Sequence, residues 1–198
     1  MLSDPAGTLS TMNDENPVAW FDRAAAAAQA VVDGIRPDQL DLPTPCSDWS
    51  VRELLNHVVS GTALFRSLAT GGGPIDRGAD HLGADPAAAF RTGVASLREV
   101  FAADGGLTRL VSSPFGEQPA AVLLEMRVNE MMLHGWDLAT ATGQPADLDP
   151  DVAAHCLESF RALRASGRGA TMFADPTEAP AGASLADQLA ALAGRTVN

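Results

Sequence analysis

At Asn16-Pro17, Asp85-Pro86 and Asp149-Pro150 a side chain able to cap a helix stands directly before a proline, and each pair opens a stretch of helical composition. Asn and Asp oxygens accept from the free amide donors of a first helical turn, while proline at the first helical position gives up an N–H that would have no partner there. The pairs therefore set three helix starts. The first helix covers about 17–33, with Gly34 and Pro37 as stops; the second of these runs from 86 to near Gly105; the third runs from 150 to about 165. Ser50-Val51-Arg52-Glu53 has the S-x-x-E spacing of a capping box and opens a helix to about 69. A long helix spans about 120–142 before Gly143 and Pro145, and a short one, 185–193, lies between Ser184 and Gly194. No window shows sustained valine and isoleucine alternation, so the fold class expected is all-α: a four-helix bundle with short accessory helices. Residues 107–112 suit a short extended piece before a turn at 114–119, and the glycine-rich stretch 70–84 suits a loop. Residues 1–16 read as a loosely ordered lead-in, and 17–198 as a single domain.

Composition narrows the function. Thirteen basic residues stand against twenty-five acidic ones, a formal net charge of −12, and no basic stripe is present. Nucleic acid and anionic membrane surfaces would repel such a chain. Two cysteines in 198 residues are too few for a disulfide framework, and no apolar run is long enough to span a bilayer. The acidic amino terminus lacks the basic start and apolar core of a signal peptide, so the expected location is the cytoplasm. A chain of this length buries roughly 70% of its unfolded surface and needs no metal to stay folded, so a metal would be there for chemistry.

On a wheel of 3.6 residues per turn, Arg127, Glu130, His134 and Asp137 of the long helix fall into one narrow stripe. Leu124, Val128 and Met131 flank it on one side and Val122, Met126 and Leu133 on the other, leaving Glu125, Asn129 and Trp136 as a modest second polar face. A helix apolar nearly all round is buried, and charges buried with it need a partner inside. Glu130 and His134, four residues apart, can converge on one ion. His57, well inside another strong helix, is the candidate third ligand. Two imidazoles and one carboxylate leave coordination positions open for water or substrate, unlike the closed four-ligand sites of structural zinc. Arg127 could neutralise a carboxylate or bind an anionic substrate, Asp137 could orient an imidazole, and either could instead pair with the other.

The remaining candidates have plain roles. His81 reads as a solvent-exposed loop residue, Cys46 as a small apolar group, Trp49 as a hydrophobic staple on the helix that follows, and His155 with Cys156 as packing residues. Trp136 is expected on the exposed face of its helix, available to a second subunit in a homodimer.

The segment Thr44-Pro45-Cys46-Ser47-Asp48-Trp49-Ser50-Val51-Arg52-Glu53-Leu54-Leu55-Asn56-His57-Val58-Val59, with Glu130-Met131-Met132-Leu133-His134-Gly135-Trp136-Asp137-Leu138-Ala139, resembles the mycothiol-dependent maleylpyruvate isomerase metal-binding domain family, a member of the DinB-like superfamily of four-helix metalloproteins. The resemblance runs from about Pro17 through the closing Leu192-Ala193-Gly194-Arg195 and is to the small stand-alone metal-binding branch. It implies a DinB-like bundle in which His57, Glu130 and His134 hold a divalent ion, usually zinc, in a site that would also accept nickel, manganese or iron. It also implies a small thiol, mycothiol or bacillithiol, as co-substrate in isomerisation, transfer or detoxification of a small molecule. The characterised isomerase resembles this chain plus an additional carboxy-terminal domain, so the resemblance bears more on the metal site than on the substrate. A metal-dependent binding or sensing protein and a metal-dependent hydrolase are the alternatives from other classes.

Overall fold

The computed structural model describes residues 16–46, 48–113, 116–166 and 173–197. The expected lead-in, 1–16, lies outside this range apart from Asn16. That residue caps α1 (Pro17–Asp33), its side-chain oxygen accepting from the Val18 amide at 2.9 Å. Next comes α2 (Val51–Thr70), where the hydroxyl of Ser50 accepts from the Glu53 amide and the Glu53 carboxylate accepts from the Ser50 amide. Then follow α3 (Pro86–Ala102) behind Asp85, α4 (Ala120–Thr142), α5 (Pro150–Ala165) behind Asp149, and α6 (Leu185–Leu192) behind a Ser184/Asp187 capping box.

Helices α1 to α4 form the bundle: α1 lies against α3 and α4, and α2 against the same two from the other side. Phe21, Leu54, Leu97 and Leu124, one from each helix and each fully buried, belong to its core. Helix α5 packs on α4, and α6 packs on both. The all-α expectation holds, with one addition. Residues 110–119 form a two-stranded antiparallel hairpin, β1 (Leu110–Ser113) with β2 (Gly116–Pro119), in the register Leu110 to Pro119. The sequence suggests an extended piece and then a turn. Four-residue strands made largely of Ser, Gly, Glu, Gln and Pro carry no alternation to announce pairing. The hairpin leads directly into α4, because the Ala120 amide donates to the Arg109 carbonyl at 2.8 Å. Among the described residues, no helix is long and apolar enough to cross a membrane.

Trp136 corrects the helix wheel. Rather than facing outward for a second subunit, it is 3% exposed and its indole N–H donates to Asp187 at 2.8 Å. Helix α6 of the same chain covers that face. Its docking then depends on one large apolar surface tied by one polar bond, and Asp187 also serves in the capping box of α6. Trp136→Ala should lower unfolding free energy by about 3–5 kcal/mol, against about 1 kcal/mol for Ser184→Ala, which removes only the cap. Urea denaturation of the two variants checks the ranking; equal losses would mean that the tryptophan does not anchor α6.

Candidate metal centre

Helix α4 carries its charged stripe through the middle of the bundle. Arg127 has no solvent exposure at all. Its Nη2 donates to the Thr62 hydroxyl at 2.9 Å and to the Val58 carbonyl at 3.2 Å on α2, and its Nη1 pairs with Glu130 one turn along. The guanidinium reaches α2 because residue 61 is glycine, where a Cβ would stand 2.9 Å from Arg127 Nη1 and 3.3 Å from Arg77 Nη2. Burial alone would raise the Glu130 carboxyl, but Arg127 with the two neighbouring histidines outweighs it and holds the pKa down at about 2. Glu130 is thus an anion with a free oxygen to offer.

That oxygen, Oε1, is 3.8 Å from Nε2 of His57, which α2 brings to the same place. The His57 and His134 rings meet edge to face with centroids 5.2 Å apart. Donor atoms of His57, Glu130 and His134 all lie within 4.8 Å of one another. The three residues expected as ligands therefore converge, and two nitrogens with one carboxylate oxygen suit a borderline divalent cation.

The two imidazoles are held differently. Nδ1 of His134 lies 3.0 Å from Oδ2 of Asp137, whose two oxygens also accept from Arg195 Nε at 3.1 Å and Nη2 at 2.9 Å. Burial pushes the Asp137 carboxyl up, yet His134 and Arg195 more than offset this and it stays below its ordinary value. An ionised carboxylate only accepts, so the Nδ1 proton faces Asp137 and Nε2 is the nitrogen left for a ligand bond. Asp137 is thus the orienting group, paired with Arg195, while Arg127 pairs with Glu130; the two stripe residues do not pair with each other. His57 instead meets Arg77, whose Nη2 is 3.0 Å from Nδ1 and 3.4 Å from Nε2 and also donates to the His57 carbonyl at 3.0 Å. Burial, chiefly, lowers the His57 pKa and keeps the ring neutral, the form that ligates.

A cavity of about 290 Å³ opens beside these donors, walled by Cys46, Trp49, Met126, Leu133, Phe160 and Arg195 among others. Trp49, expected as a staple on the helix that follows, lines this cavity with its ring against His57, centroids 4.4 Å apart. Cys46 lines the cavity too, within 4.8 Å of the donor atoms of His134 and Asp137, with its thiol pKa raised by burial. His81 turns its ring nitrogen to the Asp76 carbonyl, 2.7 Å away. His155 stacks on Trp20 and meets Glu125 at 2.9 Å, and Cys156 is buried, so both serve packing as expected.

Sequence reasoning does not reach two members of the site, Arg77 and Arg195. Arg77 lies in the aperiodic stretch between α2 and α3. Arg195 follows Gly194, whose φ of 88° and approach to Ala174, where a Cβ would be 2.7 Å away, turn the chain after α6 back toward α4. No period connects either arginine to the stripe; the only sequence signal for Arg195 is its place in the closing Leu192-Ala193-Gly194-Arg195.

Comparison with known proteins bears on family and fold. Residues 21–139 match the family model described as the mycothiol maleylpyruvate isomerase N-terminal domain. The uncharacterized proteins MT0763 and Rv0738 of Mycobacterium tuberculosis are each 40% identical over 187 residues, covering 92% of this chain and 99% of theirs. Among solved structures, the mycothiol-dependent maleylpyruvate isomerase is similar with a TM-score of 0.64 at 16% identity, over 81% of this chain and 75% of that one. A histidine-to-alanine mutant of it gives 0.56 at 14%, over 76% and 71%. At such identities the likeness is one of fold.

The Arg127–Glu130 pair makes a pH prediction for the metal-free protein. The folded carboxyl lies at about 2 against an ordinary 4.5, so its stabilising contribution is complete above 4.5 and disappears as pH falls toward 2. Glu130→Gln should flatten the stability profile across that window. At neutral pH it should cost about 3 kcal/mol, the low end for breaking a buried pair because Glu130 is 30% exposed. Denaturant titrations at several pH values check both; an unchanged acid limb in the variant would refute the assignment.

Proposed function

The chain belongs to the mycothiol maleylpyruvate isomerase N-terminal domain family, and on that basis we propose that it is a divalent-metal-dependent isomerase or transferase that uses a low-molecular-weight thiol of the mycothiol type on a small electrophile. The observation that carries the reading is the convergence of His57, Glu130 and His134, from two facing helices, beside a cavity large enough for a small molecule. In this reading these three residues are the ligands of a divalent ion, zinc first, with nickel, manganese and iron as other ions that such donors accept. Bound there, the ion would supply the Lewis acidity that favours thiolate over thiol at neutral pH.

The chain's own residues set the conditions for this chemistry. Asp137 holds the proton of His134 on Nδ1 and keeps the other nitrogen free to ligate. Arg127 balances the charge of Glu130 inside the bundle, so the carboxylate can stay ionised away from water. Trp49, Leu133 and Phe160 give the cavity an apolar wall, which limits hydration of a bound nucleophile. Arg77, Arg127 and Arg195 outnumber Glu130 and Asp137 by one charge. In a chain of net charge −12 this is a local positive centre suited to an anionic sulfur. Residues 17–198 act in this reading as one domain working in the cytoplasm, without nucleic acid or membrane, as a monomer or a homodimer.

The test is metal content and turnover together. Protein purified without chelator should carry about one divalent ion per chain, as expected of a single three-ligand site, and His57→Ala and Glu130→Ala should each lose most of it. Thiol-dependent consumption of small electrophiles should fall at least a hundredfold in both variants. Full metal content in both variants would overturn the ligand assignment. Turnover that persists when thiol is omitted would instead indicate a hydrolase, and saturable binding without product a sensor.

A further inference from the structure

The cavity beside the donor trio has two ends of different character. One end is the trio itself with Cys46, Trp49 and Arg195; the other extends between α4 and α5, where Met126, Leu133, Phe160, Leu163 and Phe173 make the wall. Leu133 and Phe160 are buried, and Met126, Leu163 and Phe173 are half-buried. Protein interiors leave few voids larger than a water molecule, and an apolar wall gives water no hydrogen bonds in return for its place there. This end of the cavity is therefore a poor place for solvent and a good one for an apolar group.

Among the described residues, no cation at this end is free to answer an anion. Arg195, the arginine on the cavity wall, spends Nε and Nη2 on the two oxygens of Asp137 and Nη1 on the Ala193 carbonyl at 3.1 Å. The polar pair on the wall, Asn129 and Ser159, is also spent. Asn129 Nδ2 donates to the Ser159 hydroxyl at 3.1 Å and to the Glu125 carbonyl at 3.0 Å, while that hydroxyl bonds to the Glu125 carboxylate. Asn129 Oδ1, which has no partner, is closed off from solvent. Glu130 faces the same cavity as an anion. A carboxylate seated against α5 would lose water without gaining a counter-ion, which is costly.

The wall favours a ring over a chain. Three aromatic side chains line the cavity, Trp49, Phe160 and Phe173, the last two tilted by 57° with centroids 4.8 Å apart. Such rings reward a further ring by offset or edge contact, and the thioether of Met126 does the same. An apolar cavity of about 150 Å³ is enough for benzene. At about 290 Å³ this one has room for a single ring and a short arm to the donors.

We infer that the end of the cavity between α4 and α5 is a subsite for a neutral, single-ring aryl group carried by the small electrophile, selected by Phe160, Leu163 and Phe173. The inference rests on the proposed function for the reaction, and on the wall and its charges alone for the ring. A ring held there directs its arm, and with it the reacting carbon, back to His57, Glu130 and His134.

The probes are 4-fluorotoluene and its charged counterpart 4-fluorobenzoate, titrated into metal-free full-length protein and followed by fluorine NMR and by the methyl signals of labelled methionine and leucine. The toluene should bind saturably and shift the methyls of Met126, Leu133 and Leu163, but not that of Met131, which is buried away from the cavity. The benzoate should bind at least tenfold more weakly, its carboxylate having no counter-ion. Leu163→Trp, which fills the space, should abolish toluene binding, and the volume-conserving Leu163→Met should keep it. Equal binding of the two probes, or binding that leaves the three methyls unmoved, would overturn the subsite whether or not the variants fold. With zinc and mycothiol supplied, benzyl bromide and bromoacetate are compared as electrophiles, the thiolate sulfur bonding to carbon as bromide leaves. Relative to the uncatalysed rates, kcat/KM should be at least tenfold higher for benzyl bromide, and the opposite preference would overturn the assignment. Ring binding in protein that takes up no zinc and consumes neither bromide would sink the metal and thiol reading and leave the subsite standing; zinc uptake without ring binding would do the reverse.

Discussion

A guanidinium with no exposure to solvent sits at the centre of the bundle, and the surrounding residues are arranged to answer its charge. Arg127 has Glu130 at Nη1, α2 oxygens at Nη2, and the Phe65 ring 5.3 Å from its central carbon. An isolated buried cation would cost several kcal/mol. Meeting that demand requires a carboxylate in the interior, and the carboxylate that meets it is the one that faces the histidines. Without Arg127, Glu130 would be driven toward its neutral form and would be a poor ligand. Structural compensation and candidate chemistry thus use the same pair.

The second half of the stripe repeats the arrangement with a different partner. Asp137, also without exposure, is answered by a fork from Arg195 rather than by its own helix. In both halves a carboxylate is kept charged by an arginine and acts on a histidine: Glu130 stands beside His57, and Asp137 fixes His134. The two are not equivalent. Glu130 retains an oxygen turned to the donor cluster, whereas both oxygens of Asp137 already accept hydrogen bonds.

Much of this was legible in the amino-acid order because it depends on short-range rules. Asn16, Ser50, Asp85 and Asp149 cap helices wherever they stand before the right residues, and 3.6-residue periodicity alone puts Arg127, Glu130, His134 and Asp137 on one face. What was not legible depends on which element covers which. The wheel gives Trp136 a polar face but cannot say that α6 lies on it. Arg77 and Arg195 belong to segments without periodicity, and their roles come from the tertiary contacts that bring them to His57 and Asp137. The hairpin escaped because strands of four residues, mostly polar, are decided by pairing rather than by composition.

The position of Arg195 along the chain also fixes an order of events. A polypeptide emerges amino end first, so α1 through α5 are available to assemble before that arginine has been synthesised. Until then Asp137 lacks the cation that makes its burial tolerable, and the imidazole of His134 has no settled proton position. The nascent bundle can gather its hydrophobic interior early, yet it acquires a competent ligand set only after the segment that follows α6 has been made. Assembly and chemical readiness are therefore separated in time by about thirty residues of synthesis, on the order of two to six seconds at common elongation rates.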